Sequence, residues 1–82
     1  MKSLVLDQIE VLRDGSIQVR MHKLSSDGDM LGYHRTAVMV GGDVGAQMKS
    51  VNNHMAGEGF SPVSAAEIAQ VQRIAEAAWA KP

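Results

Sequence analysis

The segment IEVLRDGSIQVRM, Ile9 to Met21, constrains the fold more than any other part of the chain. Ile9, Val11, Ile17, Val19 and Met21 are all odd-numbered, with Gln8, Glu10, Gln18, Arg20 and His22 alternating with them, and Leu12 falls at the turn. A period of two places one set against a core and the other toward solvent, as in half-buried antiparallel strands. Asp14-Gly15 supplies the turn. A two-residue loop would set Val11 opposite Gln18 and Ile9 opposite Arg20, apolar against polar. A three-residue loop, Arg13-Asp14-Gly15, sets Leu12 opposite Ser16, Val11 opposite Ile17 and Ile9 opposite Val19. The buried face selects the register, so the second loop is predicted, a type I turn with Gly15 left-handed in a bulge.

A second turn, SSDGD (Ser25 to Asp29), separates this hairpin from a third strand within Met30 to Val40. The facing of that strand stays open, because Tyr33, Ala37 and Met39 compete with Val38 and Val40. After Gly41-Gly42 the period changes. Val44, Met48, Val51 and Met55 form a helical stripe, with Asp43 as N-cap and Gly57 just past the end. Asparagines and glycines interrupt that stripe. Two helix starts then overlap: Ser61 with Pro62 at the first helical position, and the capping box Ser64-Ala65-Ala66-Glu67. Ile68, Val71, Ile74, Ala75, Ala78 and Trp79 line one face of the last helix. The predicted fold class is α+β: a small antiparallel three-stranded meander over residues 1–42, followed by one or two helices over residues 43–82, in a single domain.

Size then decides what the apolar helix face must do. A chain of 82 residues without cysteine has a small core and no disulfide to reinforce it. Self-association is therefore expected, with Trp79, Ile74, Val71, Ile68 and Tyr33 as interface residues and Trp79 seated on another subunit. The N-terminal MKSLVLDQIE has too short an apolar stretch for a signal peptide or a membrane helix. A soluble chain, cytoplasmic when synthesised and without membrane contact, is expected.

Eight basic and nine acidic side chains give a net charge of −1, which argues against general nucleic-acid binding. Aligning a phosphate-binding loop on Lys49-Ser50 puts Met48 and Asp43 where glycines are required. His22, His34 and His54 lack the spacing of a zinc site. Asp27-Gly28-Asp29 is a fragment of a calcium loop and reads as a turn. There is no Gly-x-Ser-x-Gly, and a sheet this small does not readily enclose a pocket of about 300 Å³. No catalytic residue, cofactor or small-molecule substrate is expected, and the chain reads as non-enzymatic. One polar patch is expected: Arg20 and His22 share the face opposite Ile17, Val19 and Met21, and His34 joins them from the next strand, with Arg35 pointing away.

The stretches IEVLRDGSIQVR, DGDMLGYHRTAVMVGGD and IAEAAW resemble small structural proteins from the tail regions of bacteriophages and prophages. Those share an Asp-Gly hairpin, a strand containing His-Arg and a Pro-Gly-Asp turn, here Gly41-Gly42-Asp43. The resemblance covers the first half of the chain and the last helical turn. It implies a virion component or assembly factor acting through self-association or docking on other virion proteins. The alternative class is a small regulatory nucleic-acid binder using Arg20, His22, Arg35 and Lys49.

Overall fold

The structure, a computed structural model, describes residues 1–80. The hairpin alternation forms β1 (Lys2–Val11) and β2 (Ile17–Leu24), and the third strand is β3 (Met30–Val38). Then come helix α1 (Val44–Ala56), a two-residue strand β4 (Phe60–Ser61) and helix α2 (Ala65–Trp79). The sheet order is β3-β2-β1-β4. The meander is antiparallel, and β4 adds to β1 in parallel, Lys2 beside Phe60 and Ser3 beside Ser61. The α+β class and the three-stranded meander are as expected. The fourth strand is an addition that no periodicity announces.

The hairpin has the predicted register, with Val11 opposite Ile17 and Ile9 opposite Val19. The Leu12 N–H donates to the Ser16 carbonyl at 2.8 Å, the Gly15 N–H donates to the Leu12 carbonyl at 2.9 Å, and Gly15 has φ +91°. Toward the start of β1 the apolar residues on the helix-covered face are the even-numbered Leu4 and Leu6, with Val5 on the other face. A bulge between Leu6 and Gln8 reconciles the two parities. The extra residue, Asp7, lets Leu4, Leu6, Ile9 and Val11 share one face. A Cβ on Gly15 would lie 2.8 Å from Cγ2 of Val40. Gly15→Ala is therefore expected to destabilise the fold by about 1–2 kcal/mol through left-handed strain alone, with the contact to Val40 adding to it, as read by thermal melting.

That face is covered by the helices. Leu4, Ile17, Val19, Met21 and Val38 from the strands meet Val44, Met48, Val51 and Met55 of α1, Val71 and Ala75 of α2, and Phe60 and Val63. The whole predicted stripe of α1 is buried, and full burial of each such side chain contributes about 1.5–3 kcal/mol. Asp43 caps the helix by accepting from the Ala46 N–H at 3.0 Å. Asn52, an interruption in sequence terms, has a tertiary role. Its side chain accepts from the Val63 N–H at 2.9 Å and donates to the Val63 carbonyl at 3.4 Å, which fixes the approach to α2.

Of the two overlapping starts for α2, Ser64 is the cap. Its hydroxyl accepts from the Glu67 N–H at 3.2 Å, and Oε1 of Glu67 accepts from the Ser64 N–H at 3.3 Å and hydroxyl at 2.7 Å. Ser61 lies instead in β4. Burial works against ionisation of Glu67, but the Leu6 N–H and the Ser64 hydroxyl and N–H outweigh it and hold the carboxyl below its usual value. Among the described residues no helix is long and apolar enough to cross a membrane.

Candidate functional site

The two edges of the sheet differ. The first half of the β1 edge is covered by β4 at Lys2 and Ser3, and then by Oε2 of Glu67, which accepts from the Leu6 N–H at 2.7 Å. The nine-residue β3 edge lies at the other end of the sheet, and among the described residues no strand follows beyond it. Among the described residues, the contact to β3 from outside the sheet by hydrogen bond is the Gln47 side chain, which donates to the Thr36 hydroxyl at 2.6 Å and leaves the backbone edge free. Met30, Leu31 and Tyr33 on this strand are about half exposed. An uncovered edge of this length is a template for pairing with another chain.

The sheet face away from the helices carries a polar cluster built across three strands. Asp7, projecting at the β1 bulge, accepts from Nε of Arg20 at 2.6 Å and lies 2.9 Å from Nε2 of His22. The Tyr33 ring completes the cluster. The Arg20 guanidinium sits 4.8 Å from its centroid, and the His22 ring meets it edge-on at 4.9 Å. Arg35 is the cross-strand neighbour of Arg20, and the two border an open cleft of about 320 Å³ with Gln8, Glu10 and Gln18.

Arg20 and His22 are thus together, as the sequence indicates, but His34 does not join them. His34 is opposite Met21 on the helix-covered face, and Tyr33 and Arg35 share the outer face with Arg20 and His22. The parity of β3 is set by Val38, its one fully buried side chain, which faces the helices opposite Ile17. With even residues inward, the orientation expected for His34 and Arg35 is reversed.

Of the interface residues expected on α2, Val71, Ile68 and Trp79 are engaged within the chain. Val71 is fully buried in the core. Ile68 and Trp79 are half-buried and pack against it. Ile74 is half-buried beside Leu6 and Ile9 in a groove of about 370 Å³. Trp79 closes its own subunit, donating from Nε1 to the Gly15 carbonyl at 2.6 Å. Ala78 is exposed. Of the expected interface set, Tyr33 alone is exposed, while Ile74 lines that open groove.

His34 packs beside His54 of α1, with ring centroids 6.3 Å apart. Burial first, then His54 and Lys23, hold its imidazole below the usual value. The unfolded chain therefore takes up this proton before the folded one does. The stability that neutral His34 allows is complete above about pH 6.5 and is lost as the pH falls toward the lower folded value. Denaturation midpoints are expected to be lower at pH 5.5 than at pH 7.5, with a smaller difference in His34→Gln.

No three His, Asp or Glu side chains converge as metal donors among the described residues. No family model, no curated protein and no solved structure matches this chain.

Proposed function

We propose that this chain is a non-enzymatic interaction protein that self-associates, acting as a component or assembly factor of a phage or prophage virion. The observation that carries the self-association is the contrast between the sheet edges: β1 is covered over Lys2–Leu6 by β4 and Glu67, while β3 is open over the whole of Met30–Val38. Native sheets usually protect an edge with proline, lysine, a bulge or a covering element. β3 has no proline and no lysine; Arg35 is its one full-time cation, and its bulge lies at one end, at Leu31 between the pairs Lys23–Gly32 and Leu24–Met30. The virion assignment rests on the resemblance of the hairpin and His-Arg strand to phage structural proteins.

The test is a proline placed on the edge. Arg35→Pro is expected to remain folded, because edge strands tolerate proline where the N–H faces outward. It is expected to sediment as a monomer while the native chain sediments above 8.8 kDa. A native chain that is monomeric up to millimolar concentration would overturn the reading. The nucleic-acid alternative is less well supported, because Arg20 is neutralised by Asp7 and Lys49 lies on α1, behind the other face of the sheet. Salt-sensitive retention on DNA would support that alternative instead.

A further inference from the structure

We propose that two copies of this chain join antiparallel through β3 about a two-fold axis at His34, with each Tyr33 opposite the partner's Arg35. This rests on the self-association reading and specifies its geometry. The direction of the free backbone groups follows from the hairpin. The Leu12 N–H donates to the Ser16 carbonyl, so the peptide groups of Ser16 point toward β1. Direction alternates along an antiparallel strand. Ile17, Val19 and Met21 therefore turn theirs toward Val38, Thr36 and His34, their partners in β3. Tyr33, Arg35 and Ala37 turn their N–H and C=O groups out at the free edge.

Hydrogen bonding across a two-fold axis then requires odd residues to pair with odd residues. An axis at Arg35 sets two guanidinium groups directly opposite each other, and like charges in that position are destabilising. An axis at Tyr33 sets Arg35 opposite the partner's Leu31, an apolar side chain, and leaves Ala37 and Val38 beyond the paired stretch. An axis at His34 overlaps Met30–Val38 in full and places each Arg35 opposite a tyrosine. A guanidinium over an aromatic face is attractive, and this same ring already accepts Arg20 within the chain at 4.8 Å. On the covered face His34 meets the partner's His34. Burial, His54 and Lys23 disfavour its charged form, so the two rings meet without like-charge repulsion at neutral pH.

The chain has no cysteine, so a single-cysteine variant cross-links only between copies. In the proposed register His34 forms a non-hydrogen-bonded pair, where Cα atoms lie about 4.5 Å apart, within the span of a disulfide. His34→Cys is expected to give predominantly covalent dimer under mild oxidation, while Tyr33→Cys and Arg35→Cys each remain mainly uncross-linked. The double variant Tyr33→Cys with Arg35→Cys keeps His34 and is expected to cross-link as well. Preferential cross-linking of either single variant at position 33 or 35 would overturn the register. So would a dimeric native chain for which neither His34→Cys nor the double variant cross-links; self-association would then still stand. A native chain of 8.8 kDa at every concentration would overturn both.

Discussion

Trp79→Ala should lower the stability of the single chain and leave the association of the folded fraction intact. Trp79 is half-buried against the core, and its Nε1 donates to the Gly15 carbonyl at 2.6 Å, tying the end of α2 to the β1–β2 turn. Removing a fully buried tryptophan costs about 3–5 kcal/mol. Partial burial reduces that figure and the lost hydrogen bond adds about 1 kcal/mol, so about 2–4 kcal/mol is expected. In a domain of this size the melting temperature then falls by roughly 10–25 °C. Trp79→Phe keeps most of the contact and loses the donor, and should cost about 1 kcal/mol. Calorimetry with sedimentation below the transition separates the roles: an unchanged melt with a lower mass would return Trp79 to the subunit interface.

Glu67→Ala is expected to be comparably damaging, through a side chain that serves two distant places. One carboxylate oxygen completes the capping box with Ser64, and the other accepts from the N–H of Leu6, 61 residues away. Truncation leaves a partly buried donor on β1 without a partner. Hydrogen bonds to charged groups contribute about 1.5–3 kcal/mol, and loss of the reciprocal cap adds to this. Protonation should have a related effect. Because the carboxyl is held low in the fold, its contribution is present above the usual value of about pH 4.3 and is lost as the pH falls through the lower folded value. Chemical denaturation from pH 7 to pH 3 should show a steeper loss for the native chain than for Glu67→Gln. Equal slopes would mean that the negative charge of Glu67 adds no net stability to its contacts with Leu6 and Ser64.

Both residues show where the sequence was legible and where it was not. Glu67 is recognisable as a helix-cap residue because its partner is three positions away. Its bond to Leu6 and the bond of Trp79 to Gly15 join residues 61 and 64 apart, which local spacing does not encode. The hairpin register was legible because Ile9, Val11, Ile17 and Val19 agree on one parity and Gly15 meets the turn's need for positive φ. The α1 stripe was legible for the same reason, with all four positions buried. In β1 the switch from even Leu4 and Leu6 to odd Ile9 and Val11 is the trace of the bulge at Asp7, but nothing in the local pattern marks Asp7 as the centre of the polar cluster. β3 resisted because both of its faces mix polar and apolar residues and Val38 alone is fully buried. A change of parity in such a strand exchanges the faces of His34 and Arg35, which is the difference between the expected and the observed patch. β4 was not legible because its two residues are held by the backbone of Lys2 and Ser3.

The role of the β3 edge can be read most directly from amide hydrogen exchange at Tyr33 and Arg35 as protein concentration is raised. If two copies pair along this edge, both amides should exchange quickly in dilute monomer and become protected in step with the rise in sedimenting mass, while Thr36, already in the ladder to β2, stays protected throughout. Fast exchange at Tyr33 and Arg35 in a sample that sediments as a dimer would place the interface elsewhere.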